Sequence, residues 1–145
     1  MFSKEEAAQL RKEFWTSFGK SFPRKWLLYN TKIKGFAFKF QASRKEASVC
    51  LDIDHTDVIA SELLYDQMLS LRRLLETALP DVIFDETYEL ESGKIIRRIY
   101  VPFEQKFSIH NKNTWRDCYD FYLKTMDAFE LFFYEYEDFI KQAIV

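Results

Sequence analysis

Residues 119–139, with the sequence YDFYLKTMDAFELFFYEYEDF, decide the fold. Nine of these 21 residues are aromatic and no Gly or Pro interrupts them, so they predict one long C-terminal helix, capped by Asn113. At 3.6 residues per turn, one face of that helix carries Trp115, Tyr119, Tyr122, Met126, Phe129, Phe133, Tyr136 and Ile140. With its flanking Phe residues this arc approaches half the circumference, wider than the roughly 100° stripe of an ordinary surface helix. The helix must therefore be buried by a sheet, a second helix or another chain.

Two further helices are predicted upstream. Ser3 and Glu6 have the spacing of a capping box, which begins a helix that runs to about Gly19. A second helix begins after a capping Asp54 or Thr56, and Pro80 ends it.

Alternating apolar residues predict two β-hairpins between the helices. The first pairs residues 33–40 with 47–53, and the second pairs 82–90 with 94–101, turning at Ser92-Gly93. The element order is α-β-β-α-β-β-α. Because hairpins pair antiparallel, we expect an α+β fold with an antiparallel four-stranded sheet and helices packed mainly on one face.

Composition bounds the class of protein. A chain of 145 residues with 48% hydrophobic and 30% charged residues fits a single globular domain, residues 1–145. No apolar run reaches the roughly 18 residues of a membrane span, and the N-terminus lacks a signal-peptide apolar region, so we expect a cytoplasmic protein without membrane contact. Only three glycines occur, which excludes phosphate-binding glycine loops. Cys50 and Cys118 are expected to be buried free thiols, and no cofactor is expected.

Charge is distributed unevenly along the chain. Residues 1–50 carry 11 Lys and Arg against 4 Asp and Glu, whereas the whole chain has a net charge of −2. This asymmetry indicates either two halves that pack with complementary charge or a basic binding face. Basic residues interleaved with aromatic ones are the candidate site for single-stranded nucleic acid: Lys20, Arg24, Lys25, Trp26, Tyr29, Lys32 and Lys34. A solvated loop that Trp26 anchors to the core explains the same residues.

The densest polar cluster contains Asp52, Asp54, His55 and Asp57, where a strand meets a helix. Three carboxylates and an imidazole suit a divalent cation, which makes a metal-dependent hydrolase or nuclease the alternative function. It is not an EF-hand, because Asp57 occupies the position that requires glycine. Acidic residues at this point also cap a helix and complement its dipole, so we expect no metal.

Surplus apolar residues favour self-association. On the flank of the last helix these are Phe121, Phe132 and Phe139; on the second helix they are Val58, Tyr65 and Leu69. A large apolar patch in water usually marks an interface, and a twofold homodimer is the commonest solution. Alternatively, a last helix lying between its neighbours hides these side chains within one chain.

Six short motifs and segments occur in order along the chain. They are Phe14-Trp15-x-x-Phe18, Pro23-Arg24-Lys25-Trp26, Leu51-Asp52-Ile53-Asp54, Leu64-Tyr65-Asp66-Gln67, the strand 94–101, and Trp115 before the aromatic helix. With these landmarks the chain resembles a family of uncharacterised bacterial domains, domain of unknown function 4268. In that family the domain often follows a restriction-endonuclease-like nuclease domain. The resemblance implies a non-catalytic accessory or binding domain whose partner is nucleic acid or a nuclease, and it implies no catalytic residue.

Overall fold

The computed structural model describes residues 2–145. Its elements are α1 (Lys4–Ser21), β1 (Phe36–Ala42), β2 (Ala47–Ile53), α2 (Val58–Ser70), α3 (Arg72–Ala78), β3 (Ile83–Glu89), β4 (Ile95–Pro102) and α4 (Trp115–Lys141), with 3₁₀ turns at Lys112–Thr114 and Gln142–Ile144.

The four strands form one antiparallel sheet in the order β1-β2-β4-β3. Each hairpin contributes two neighbouring strands, and β2 pairs with β4 to join them. Across this sheet Phe38 lies opposite Leu51, which lies opposite Ile99. The α+β class is therefore confirmed, and β2 and β4 are the central strands.

Helix α4 covers one face of the sheet, as its aromatic arc predicts. Phe133 is only 2% exposed, and its ring centroid lies 5.9 Å from those of both Phe36 and Phe38. Phe129 contacts Phe38 from the preceding turn, at 5.6 Å between centroids. Because the aromatic side chains of α4 and β1 interdigitate, they form the centre of the core.

Helix α1 packs against the first half of α4. Phe14 and Phe18 are buried, and the Tyr119 hydroxyl donates a hydrogen bond to the Phe14 carbonyl. The predicted capping box is present: Ser3 Oγ accepts from the Glu6 amide at 3.1 Å, and Glu6 Oε1 accepts from the Ser3 amide at 3.3 Å.

Besides the start of β1 at Phe36 instead of Ile33, three boundaries differ from the sequence predictions. The predicted second helix is divided into α2 and α3, because the helical conformation is interrupted at Leu71. Its cap is Asp57, not Asp54 or Thr56: an Asp57 carboxylate oxygen accepts from the Ile59 amide at 3.0 Å. A 3₁₀ turn precedes α4, and Asn111, not Asn113, accepts a capping hydrogen bond there, from the Asn113 amide.

Three of the six residues of the apolar surplus are partly or fully covered within one chain. Phe132 is 6% exposed and packs on Tyr136, and Tyr65 is 4% exposed and packs on Phe84. Phe121 is half-buried against Phe103. Exposed members of the surplus are Phe139, Val58 and Leu69. Phe132 and Tyr65, two of the residues that favour self-association in the sequence, are therefore covered within one chain.

None of the helices described in residues 2–145 combines the length and apolarity needed to cross a membrane.

Candidate functional site

Residues 22–35, named here the basic loop, connect α1 to β1 and are fastened to α4 by one buried carboxylate. Glu130 is 4% exposed and accepts hydrogen bonds from the Arg24 guanidinium and, at 2.7 Å, from the Leu27 amide. The other Arg24 terminal nitrogen donates to Asp127 at 2.9 Å. Arg24 therefore neutralises acidic groups of α4.

Trp26 anchors the same loop to the core. Its ring lies 5.3 Å from that of Phe40 and 6.3 Å from that of Phe18, and the Arg24 guanidinium lies 4.2 Å above it. Of the seven residues predicted to bind nucleic acid, Arg24 and Trp26 thus hold the loop in place, which is the structural role that the sequence left open.

The backbone of the loop is held in an uncommon conformation. Leu28 and Lys32 have φ values of 47° and 62°, in the left-handed region that residues other than glycine rarely adopt. The surrounding hydrogen bonds impose it: the Phe38 amide donates to the Leu28 carbonyl, and the buried Thr31 hydroxyl donates to the Phe36 carbonyl at 2.6 Å. Such strain persists only where the structure over-determines it, and it concentrates at functional sites.

Gly35 ends the loop and explains why β1 begins at Phe36 instead of Ile33. Its φ is +69°, and its carbonyl accepts from the Asp54 amide at 2.7 Å. A Cβ at this position would lie 2.4 Å from the Cα of His55, so only glycine fits. The basic loop is consequently fixed at both ends.

The remaining five predicted residues lie at the surface. Lys20, Lys25, Lys32 and Lys34 are exposed and have no ion-pair partner within the described chain, and Tyr29 is 76% exposed. Arg24 alone among the eleven cations of residues 1–50 pairs with a carboxylate of residues 51–145 in the described structure. Complementary packing of the two halves therefore accounts for only one of those cations.

The acidic cluster does not converge. Asp52 accepts two hydrogen bonds from Arg98, at 2.6 and 2.8 Å, and Asp54 pairs with Lys94 at 2.7 Å. Asp57 caps α2, and its amide donates to Nδ1 of His55 at 2.9 Å. Across residues 2–145, no three His, Cys, Asp or Glu side chains are grouped to hold a metal ion. The residues of the alternative hydrolase site thus have separate structural partners.

The family described as Domain of unknown function (DUF4268) matches residues 10–137. The chain belongs to this family. No curated protein and no solved structure matches the chain. The match includes the basic loop, the whole sheet and all but the last four residues of α4.

In this member of domain of unknown function 4268, the sheet face opposite α4 carries a cluster that sequence reasoning missed. Arg98 is 3% exposed, and its guanidinium lies between Asp52 and the Tyr88 ring, 4.3 Å from the ring centroid. Burial alone would lower the pKa of Arg98, but the Asp52 carboxylate raises it. Burial also raises the pKa of the neighbouring Cys50 thiol to about 11, so this thiol is not activated. Asp52 and Arg98 meet because β2 pairs with β4. The sequence predicts each hairpin separately and does not show that these two strands are neighbours.

Proposed function

We propose that the chain is a non-catalytic, cytoplasmic accessory domain that binds single-stranded nucleic acid weakly through the basic loop and Lys20. The observation that carries this proposal is Tyr29, 76% exposed on a fixed loop whose lysines have no ion-pair partner in the described structure. Ammonium groups neutralise phosphates, and an exposed aromatic ring stacks on a base without regard to sequence.

The fixed backbone supports the same proposal. Because Glu130 and Thr31 already hold the loop, little conformational entropy remains to be lost when a ligand binds. A nuclease that acts on the bound strand is the partner we propose, in line with the family resemblance. The alternative of metal-dependent hydrolysis has no converging carboxylates within residues 2–145 to support it.

Fluorescence anisotropy with labelled oligothymidylate and oligouridylate tests the proposal. The triple variant Lys25→Glu, Lys32→Glu, Lys34→Glu should weaken both complexes and make the log–log salt slope shallower by about 2, since each lost phosphate contact in a single strand contributes about 0.7. The matched control reverses three exposed lysines elsewhere, with Lys4→Glu, Lys45→Glu and Lys106→Glu. Equal losses in both triples, or no binding at low ionic strength, would contradict a site on this loop.

Tyr29 separates stacking from charge. Tyr29→Ala should weaken binding by about 1–3 kcal/mol, the typical contribution of one stacked base, whereas Tyr29→Phe keeps the ring and should bind like the original chain. If both variants bind alike, the ring does not contact the strand. Because Tyr29 is 76% exposed, neither substitution should alter the melting temperature by more than a few degrees.

We also propose weak self-association through the part of the apolar surplus that the fold leaves exposed. Phe139 is 38% exposed and Val58 is 68% exposed, and both would be covered in a dimer. Sedimentation at micromolar concentration should show a dimer that Phe139→Asp dissociates while the circular dichroism stays unchanged. A monomer in the unmodified chain would end this part of the proposal.

A further inference from the structure

A second candidate site lies around the first half of α4. A cleft of about 610 Å³ opens between the end of α3, the segment that follows β4, and α4. Its polar rim carries four carboxylates, from Asp81, Glu104, Asp117 and Asp120. We name it the acidic cleft. Its volume falls within the range of about 300–1,000 Å³ that is usual for small-molecule sites.

The wall of the acidic cleft is aromatic. Phe103 and Phe121 are half-buried, and their ring centroids lie 5.1 Å apart at an interplanar angle of 36°. Their contact forms a continuous apolar surface, which Val101 and Ala128 extend. Aromatic faces attract cations, and the apolar lining suits methylene groups.

A largely buried threonine also lines the cleft. Thr125 is 6% exposed, and its hydroxyl takes part in none of the side-chain hydrogen bonds found within residues 2–145. The side-chain atoms of residues 2–145 that are fully buried without a hydrogen-bond partner do not include this hydroxyl, so its oxygen keeps contact with solvent. This group is therefore available to a ligand, independently of the carboxylates on the rim.

The charges of the cleft are uncompensated and dispersed. None of the four carboxylates forms an ion pair with any residue that the structure describes, and the one cation that lines the cleft is Lys124. The four carboxylates are nevertheless not grouped closely enough to share a metal ion. Separated anions around an apolar wall suit a ligand whose cationic groups are themselves separated by methylene segments.

We propose that the acidic cleft binds a linear aliphatic oligoamine. Its ammonium groups pair with the carboxylates of the rim, and its methylene segments lie against Phe103 and Phe121. One ammonium group donates to the Thr125 hydroxyl oxygen. This site is independent of the proposed nucleic-acid function, because it uses none of the basic-loop residues.

Isothermal titration with spermidine in low-salt buffer tests the proposal. We expect one site per chain, and the pair Asp117→Asn, Asp120→Asn should weaken binding at least tenfold. The matched control is Glu135→Gln, Asp138→Asn, which removes the same charge from exposed positions of the same helix outside the cleft. The pair Asp81→Asn, Glu104→Gln leaves α4 unaltered and should also weaken binding. It keeps the test valid if the variant with Asp117→Asn and Asp120→Asn fails to fold.

Three results would overturn the proposal. Equal weakening by the control pair would show a general attraction to acidic surface, and equal competition by Mg²⁺ at matched ionic strength would show the same. Binding of a lysine-containing peptide without binding of spermidine would replace the small-molecule site by a protein-docking site. Thr125→Val should reduce spermidine affinity without changing the affinity for Mg²⁺; an unchanged spermidine affinity would remove the hydroxyl from the site and with it the second observation on which the proposal rests.

Discussion

The basic loop and the acidic cleft use two stretches of the same helix in opposite ways. Near residue 130, the carboxylates of α4 have partners within the chain, since Asp127 and Glu130 accept hydrogen bonds from Arg24, and Glu130 also accepts one from the Leu27 amide. Near residue 117, the carboxylates of α4 have no ion-pair partner among the described residues. The first stretch therefore builds a rigid platform for cations, and the second leaves its negative charge facing solvent.

This difference shows that a net charge near zero can conceal two separate electrostatic surfaces. The nearest carboxylates of the two stretches, Asp120 and Asp127, are seven residues apart on α4, which corresponds to about 10 Å along the helix axis. The Debye length at physiological ionic strength is about 8 Å, so charges on the two surfaces are partly screened from each other there. We expect the basic loop and the acidic cleft to bind their ligands independently.

The largest expected effect comes from truncating a core side chain of α4, the helix that both regions share. Phe133→Ala deletes a ring that is 2% exposed between Phe36 and Phe38, and it should lower the free energy of unfolding by about 3–5 kcal/mol. Chemical denaturation monitored by circular dichroism measures the loss. Leu131→Ala, at a position that is 63% exposed in the same helix, is the control and should change little. Similar losses in both variants would contradict the burial of Phe133.

A smaller effect should separate the two regions. Glu130→Ala removes the acceptor of Arg24 and of the Leu27 amide, and we expect a loss of about 1.5–3 kcal/mol, the range for hydrogen bonds to a charged group. The loop should then loosen, so nucleic-acid affinity should fall while spermidine affinity at the cleft stays unchanged. Amide hydrogen exchange across residues 22–35 should become faster. Unchanged exchange in this variant would show that Glu130 does not hold the loop.

Most of the fold could be predicted because its determinants are local or periodic. The capping box at Ser3, the alternation in residues 47–53 and the aromatic arc of α4 each specify their element without distant information. The break at Leu71 could not be predicted, because no Gly or Pro interrupts the apolar face there. The use of Asp57 as the cap could not be predicted either, because several residues that can cap a helix are adjacent. Asp54 instead forms an ion pair with Lys94, which is distant in sequence.

The candidate sites were predictable only in part, because composition does not show which charges are neutralised. Arg24 and Lys25 are neighbours in a basic segment, yet Arg24 reaches Glu130, which is 106 residues away, and Lys25 remains free of ion pairs in the described chain. The acidic cleft combines residues from three separate segments of the chain, so no local sequence pattern predicts it. Sequence proximity identified the basic loop, whereas the acidic cleft required the tertiary structure.

The smallest expected effect distinguishes the strain of the basic loop from its charge. Lys32 has a φ of 62°, where a residue other than glycine costs about 1–2 kcal/mol, whereas the backbone entropy of glycine costs about 0.5–1 kcal/mol. Lys32→Gly should therefore stabilise the domain by about 0.5 kcal/mol. Lys34 does not share the positive φ, so Lys34→Gly should destabilise it by about 0.5–1 kcal/mol.

Because each substitution removes one exposed cation, both variants should lose a similar amount of nucleic-acid affinity despite the opposite signs of their stability changes. Parallel thermal denaturation and anisotropy titrations measure the two quantities. If affinity instead follows stability, rising in Lys32→Gly and falling in Lys34→Gly, the rigidity of the loop controls binding and the charge of its lysines does not.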